Sequence, residues 1–233
     1  MSLFHSDAFL AFRSRDFSLL SVNQLCLILT IMIQEVVIAY SIYQLTQNPL
    51  SLGMIALIEL LPFICLSLFS GDWADRYNRQ KIVQWSFSCS TLIPLLFIVL
   101  FSQYQQQHIQ QNTLLCGIYS LIFCLGILRG IYSPSFNSLR PFLTPESAYS
   151  NAATWTTLIW QMGGILAPLC AGLLLGQLGL KKTLLIAFFL CCVGSICLFG
   201  LSARQFPSPH KQHLSKSLKE AYLFIFKHPL MFW

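Results

Sequence analysis

Six long apolar runs dominate this sequence and constrain its fold more than any other feature. Each run contains about 20 residues or more, which is the length that an α-helix needs to cross a hydrocarbon core of about 30 Å. Strands that span a bilayer are about 10 residues long and alternate apolar with polar side chains, and these runs do neither. A spanning segment must satisfy its own backbone hydrogen bonds, so the runs predict helices. They cover 17–45, 50–70, 82–101, 113–133, 152–175 and 183–201.

The composition agrees with a membrane protein. Only 9% of the residues are charged and 55% are hydrophobic, whereas a soluble domain carries about 25% charged residues. The mean hydropathy is +0.65, and the net charge of +6 is gathered between the apolar runs, so nucleic-acid binding is not expected. We therefore predict an all-α membrane protein with a six-helix bundle over 17–202. The cytoplasmic N-terminus would cover 1–16, a cytoplasmic linker or amphipathic helix 203–228, and the start of a truncated seventh helix 229–233.

The basic residues predict how the chain is oriented. Lys181 and Lys182 lie between the last two runs, and the connection 103–112 has no lysine or arginine. The other connections and both termini hold eleven basic residues, which by the positive-inside rule places both ends of the chain in the cytoplasm. We expect the protein to be integral to the cytoplasmic (inner) membrane. The eleven are Arg13, Arg15, Arg76, Arg79, Lys81, Arg140, Arg204, Lys211, Lys216, Lys219 and Lys227.

The connection between the second and third runs carries a recognisable motif. It reads Gly71-Asp72-Trp73-Ala74-Asp75-Arg76-Tyr77-Asn78-Arg79-Gln80-Lys81. This resembles the loop signature G-x-x-x-D-R-x-x-R-[RK]-x of the major facilitator superfamily, with Gln80 at a position that is often basic. The resemblance implies a conformational switch on the cytoplasmic side, in which Asp75 meets a helix end of a second bundle. The switch residues would be Gly71, Asp75, Arg76, Arg79 and Lys81.

The fifth run carries a second motif. The segment 163–172 reads Gly-Gly-Ile-Leu-Ala-Pro-Leu-Cys-Ala-Gly and resembles the G-x3-G-P-x2-G-G antiporter motif of exporters in this superfamily. Alanine replaces two of its glycines. The resemblance implies an antiporter, but the same small residues also favour close helix packing and a proline favours a bend, so both readings stay open. The key positions are Gly163, Ala167, Pro168 and Gly172.

Segments outside these motifs indicate the branch. Residues 42–46, 48–53, 59–62 and 151–155 resemble the drug and siderophore exporters related to the enterobactin exporter. The resemblance implies twelve helices in two six-helix bundles, of which this chain would be the N-terminal half. Transport would then require a second half or a dimer partner.

Three ionisable residues lie inside the predicted spans, where charge is costly and marks functional sites. From a rise of about 1.5 Å per residue, Glu35 and Glu59 lie about 15 and 14 Å below the outer surface, and Arg129 about 24 Å below it. Gln161 reaches a depth similar to that of the two glutamates. Burial favours the protonated form of a carboxyl, so the glutamates are candidates for a proton or substrate site.

Other roles remain open for these residues. Glu59 precedes Pro62 and could satisfy a local break in its helix. Arg129 resembles the fourth-helix arginine of the superfamily, and could also bridge to a carboxylate or to a lipid phosphate.

The sequence thus predicts a secondary active exporter of amphipathic drugs or siderophore-like molecules, coupled to protons. Its partners would be the lipid bilayer, a small-molecule substrate and protons. Two alternatives stay open: a truncated, non-transporting membrane protein, and a lysophospholipid flippase-like transporter. We expect no enzyme activity and no cofactor, because the sequence has no nucleophile–base constellation and no phosphate-cradling glycine loop. We expect no metal site, because the nine cysteines lie inside apolar stretches without a C-x-x-C spacing.

Overall fold

The computed structural model describes residues 8–76 and 78–202, and the side chains in this part except those of 68–76. The predicted segments 203–228 and 229–233 lie outside the described residues. The described part is helical, without a strand, which confirms the all-α membrane class. The helices are α1 (Arg15–Thr46), α2 (Pro49–Arg76), α3 (Arg79–Ser90), α4 (Leu92–Gln105), α5 (Gln111–Leu143) and α6 (Tyr149–Phe199), with short 3-10 turns at Leu10–Arg13 and Glu146–Ala148.

Two helices extend beyond the apolar runs that predicted them. α2 continues to Arg76 rather than ending at 70, so most of the predicted loop motif is helical. Helix formation does not require apolar residues, and no proline stops α2 after the hydrocarbon ends. α5 continues to Leu143 through Pro134 and Pro141. Prolines are tolerated in such helices because neighbouring groups satisfy the freed carbonyls, so hydropathy predicted the edge of the membrane rather than the helix end.

The third apolar run forms two helices instead of one. α3 and α4 meet at Thr91, which keeps right-handed helical torsion angles (φ −65°, ψ −23°). Pro94 has no amide hydrogen and cannot bond the carbonyl four residues earlier, at Ser90. The interruption is therefore local, and Arg79–Gln105 remains one segment apolar and long enough to cross a membrane.

The fifth and sixth runs lie in one helix, α6, which changes direction at Gly179. This glycine has φ 76° and ψ 171°, a conformation that is easily reached only without a Cβ. It divides α6 into a first limb, 149–178, and a second limb, 180–199. By length and composition, five helical segments of the described residues could cross a membrane, α6 counting as one, so the number six stays a prediction.

The two limbs of α6 run in opposite directions along α1. As α1 is followed from its start, its contacts advance along the first limb and go backwards along the second. The pairs are Gln24–Thr156 and Ile28–Gly163 on the first limb, and Asn23–Gly194 and Thr30–Ala187 on the second. The limbs therefore form a hairpin that encloses α1.

The described helices pack around three apolar clusters, the smallest of which joins Ala11, Phe17, Ala148 and Ala152. The two larger clusters lie one above the other. One contains Val37, Phe97 and Ile118, and the other, nearer the start of α1, contains Phe87 and Leu198. On α5, Arg129 lies between Leu125 of the first of these clusters and Tyr132 of the second.

Candidate functional site

Three of the four predicted proton or substrate residues meet between α1, α2 and α5. Nη1 of Arg129 donates to Oε1 of Glu59 and lies 3.5 Å from Oε1 of Glu35. The side chains of Arg129 and Glu59 are 20% and 19% exposed, while that of Glu35 is 44% exposed. The arginine therefore bridges the two carboxylates, of which Glu35 is the more exposed.

The sequence places the backbones of Glu35 and Arg129 at different depths, and the directions of their side chains bring the charged groups together. The Cα–Cβ bonds of a helix lean toward its N-terminus. In the predicted orientation α5 begins on the outer side, so Arg129 leans outward. α1 begins on the cytoplasmic side, so Glu35 leans toward the cytoplasm. The two side chains approach each other from residues at different depths.

Two glycines of α5 allow α2 to come close enough for the pairing with Glu59. A Cβ at Gly126 would overlap the carbonyl oxygen of Glu59 and lie 2.7 Å from Cγ of Pro62. A Cβ at Gly130 would lie 3.0 Å from the carbonyl oxygen of Phe63. Our sequence analysis missed these residues, although the Gly126-x3-Gly130 spacing is the known signal of close helix packing in membranes.

The charges of this cluster do not cancel. The guanidinium of Arg129 is always protonated, so the cluster carries a net charge of −1 when Glu35 and Glu59 are both ionised. It becomes neutral when one carboxyl binds a proton or when a monovalent cation binds beside it. Uncompensated charge is unfavourable inside a membrane span, so the arrangement favours binding one positive charge.

A second arginine anchors the C-terminal half of α5. Nη2 of Arg140 donates to Oε1 of Gln24 at 2.7 Å, and its guanidinium lies 4.6 Å from the centre of the Phe136 ring. Nε2 of Gln24 in turn donates to the carbonyl of Thr156 at 3.0 Å. This chain joins α5, α1 and the first limb of α6, and it was not predicted because Arg140 was read only as a marker of orientation.

Gln161, the fourth predicted site residue, does not join the cluster. Its side chain is exposed and makes no hydrogen bond with any residue that the structure describes. A role in contacting substrate stays a prediction.

The antiporter-like motif is divided between two faces of α6. Gly163, Ala167 and Ala171 are buried at four-residue spacing, and a Cβ on Gly163 would lie 2.7 Å from Cγ2 of Ile28 in α1. Gly172 has open space around it. The torsion angles stay helical through Pro168, and the break comes at Gly179 instead. The buried face thus serves helix packing, and the antiporter role stays a prediction.

The side chains of the switch motif are described only at its C-terminal end. Asn78 caps α3 by accepting from the backbone amides of Gln80 and Lys81. The guanidinium of Arg79 lies 5.4 Å from the centre of the Phe142 ring, which places this end of the motif against the C-terminal end of α5. The other switch residues lie where side chains are not described, so their role stays a prediction; they are Gly71, Asp75 and Arg76.

Charged residues within membrane-spanning helices are found in transporters, among other membrane proteins, and comparison with known proteins identifies the family. The model described as Major Facilitator Superfamily matches residues 20–233. The chain therefore belongs to the major facilitator superfamily, as the loop motif predicted.

Individual relatives are distant. The chain is 24% identical over 203 residues to YfiS, an uncharacterised MFS-type transporter of Bacillus subtilis, which is 84% of this chain and 45% of that protein. It is 25% identical over 128 residues to the staphyloferrin A transporter of Staphylococcus aureus, which is 55% of this chain and 31% of that protein. It is 28% identical over 85 residues to the multi-drug resistance efflux pump PmrA of Streptococcus pneumoniae, which is 36% of this chain and 20% of that protein. The chain spans less than half the length of these relatives.

Proposed function

We propose that this protein acts in secondary active export, moving amphipathic drugs or siderophore-like molecules out of the cell in exchange for protons. The observation that carries the proposal is the bridge from Arg129 to both Glu35 and Glu59 within spanning helices. The names of a siderophore transporter and a drug efflux pump among the relatives support the substrate class.

The geometry supports different roles for the two carboxyl groups. Glu59 accepts a hydrogen bond from Arg129 and is mostly buried, so it holds the guanidinium in place. Glu35 is more than twice as exposed, so it is the group that a proton or a cationic substrate reaches first. Protonation of Glu35 removes the excess negative charge, and binding of a cationic substrate requires that proton to leave. The two ligands therefore compete for one charge, which is the basis of exchange.

The proposal places the protein in the cytoplasmic membrane with both termini in the cytoplasm. The switch motif at residues 71–81 would then act on the cytoplasmic side. Alternating access requires one bundle to move against another, so a second six-helix half or a dimer partner completes the transporter.

Transport in everted membrane vesicles tests this function. Vesicles containing the protein are given a pH gradient, and accumulation of a fluorescent amphipathic cation is recorded before and after nigericin collapses the gradient. We expect accumulation that nigericin abolishes, and its loss in Glu35→Gln. The matched control is Glu146→Gln, which removes an exposed carboxyl at a helix end. Accumulation of a fluorescent lysophospholipid instead of the cation would contradict the proposed substrate class.

Accumulation that persists after nigericin would contradict proton exchange. No accumulation of either compound, with the protein present in the membrane and a partner bundle supplied, would contradict the transport function itself.

A further inference from the structure

A small, partly open pocket lies beside Arg129, and neither glutamate lines it. α1, α3, α5 and the second limb of α6 form its walls. Most of the lining surface is apolar, and Phe87, Leu125 and Cys191 supply part of it, but half of the twelve lining residues are polar. The polar lining residues are Thr30, Gln34, Ser86, Ser90, Arg129 and Tyr132.

Two of these polar side chains are buried without a partner. Gln34 is 2% exposed and Ser86 is 8% exposed. Neither side chain makes a hydrogen bond with any residue that the structure describes. Buried polar groups in proteins are almost always paired with protein or with ordered water, and in a membrane span bulk water is not at hand to satisfy them. Among the described residues the fully enclosed unpaired side-chain atoms are the hydroxyls of Ser88, Ser135 and Ser195. The polar atoms of Gln34 and Ser86 therefore still reach the pocket, where a polar occupant can satisfy them.

Arg129 contributes further unsatisfied donors. A guanidinium has five N–H groups, and both contacts of Arg129 with described carboxylates use the same nitrogen, Nη1. Its remaining N–H groups have no acceptor among the described residues. Because Arg129 also lines the pocket, an acceptor placed there would reach those groups.

The size and charge of the pocket select its occupant. It offers about 30 Å³ to the centres of water-sized molecules, and one water requires about 10–15 Å³ together with two to four polar partners. A metal cation is disfavoured by the guanidinium in the wall, and an anion is disfavoured by the two carboxylates on the same arginine.

We propose that the pocket binds one or two structural water molecules, which link Gln34 and Ser86 to the free N–H groups of Arg129. This hydration does not depend on the proposed transport function. One consequence does rest on that function: when Glu35 takes up a proton, the bound water offers Arg129 an acceptor within the span, so the arginine keeps its position as one partner weakens.

X-ray radiolytic footprinting read by mass spectrometry tests the hydration directly, because buried side chains are oxidised quickly only where water is bound beside them. The full chain is measured in lipid nanodiscs, without substrate or pH gradient. Phe87 and Phe97 are a matched pair: they are 1% and 0% exposed, and only Phe87 lines the pocket. We expect Phe87 to be oxidised several-fold faster than Phe97, and Gln34→Leu to reduce the Phe87 rate to that of Phe97.

Equal rates for Phe87 and Phe97 in the unmodified chain would overturn the proposal, as would an undiminished Phe87 rate in a folded Gln34→Leu chain. Size-exclusion chromatography checks that the variant is folded. If it is not, Ser86→Ala replaces it, and a slower Phe87 rate supports the site while an unchanged rate overturns it. Since no transport is measured, failure of hydration and failure of export are separate results.

Discussion

α1 and α2 were predicted as similar apolar spans, but they occupy opposite environments. In the most apolar 18-residue stretch of α1 half of the residues are buried, whereas in α2 only 6% are. α2 exposes a row of large apolar side chains, including Leu57, Leu60 and Leu61. α1 instead buries polar side chains within the bundle, namely Ser21, Asn23, Gln24, Thr30, Gln34 and Ser41.

The difference shows what holds each helix in place. α1 is joined to its neighbours by side-chain hydrogen bonds, such as Asn23 to the carbonyl of Gly194 and to the hydroxyl of Tyr132. α2 is joined mainly to α5, by close backbone packing at Gly126 and by the ion pair of Glu59. In lipid, apolar surface gives little preference for the interior, so small and polar residues decide which helix is buried.

Breaking the ion pair between Arg129 and Glu59 of α2 is expected to give the largest loss of stability. Arg129→Leu leaves Glu35 and Glu59 without their cation inside a span, and breaking a buried pair on one side costs about 3–5 kcal/mol. We expect a large drop in the melting temperature of the purified chain in detergent. The double variant Arg129→Leu with Glu59→Gln should recover part of the loss, because one uncompensated charge is removed. Equal melting temperatures of wild type and Arg129→Leu would contradict the structural role of the bridge.

The next comparison is between Gly126, which packs against α2, and Gly163, which packs against α1. Gly126→Ala places a methyl group against the Glu59 backbone, which cannot rotate away, and overpacking costs about 1–3 kcal/mol. Gly163→Ala meets only the side chain of Ile28, which can change rotamer, so its melting temperature should fall less. Gly172→Ala, at an open position, serves as the control with no expected destabilisation. A larger effect at Gly163 than at Gly126 would reverse our account of how α2 is attached.

The buried hydrogen bonds of α1 should contribute less. Asn23→Ala removes one bond to Gly194 and one to Tyr132, and hydrogen bonds between membrane helices are worth about 0.6 kcal/mol each. The expected decrease in melting temperature is small but measurable. Ser51→Ala in α2, whose hydroxyl has no hydrogen-bond partner among the described residues, should change nothing. The same loss in both variants would argue against a special role for the polar face of α1.

The exposed face of α2 should tolerate change best. Leu57 is 52% exposed, and substitutions away from packed features usually stay within about 0.5 kcal/mol. Leu57→Ala should leave the melting temperature in detergent nearly unchanged. A decrease comparable to that of Gly126→Ala would show that this face is packed against protein in the purified state.

The sequence predicted the parts of the site that depend on single residues. Glu35, Glu59 and Arg129 stood out because charge is rare in spans, and the structure places them together. Gln161 was chosen by depth alone, and depth does not determine which side of a helix a residue faces. The pocket at Gln34 was missed because a glutamine in an apolar run gives no periodic signal. The residues that line this pocket also come from four helical segments that are distant in sequence. The helix ends at Arg76 and Leu143 were missed because hydropathy reports the membrane boundary.

The central claim is that Glu35 exchanges a proton for substrate while Glu59 holds Arg129. The most direct measurement is proton movement in proteoliposomes that contain the complete transporter, recorded with an internal pH dye when an amphipathic cation is added without an imposed pH gradient. We predict substrate-driven proton flux in the wild type and in Glu146→Gln, and none in Glu35→Gln, which should still exchange labelled for unlabelled substrate. Undiminished proton flux in Glu35→Gln would contradict the account.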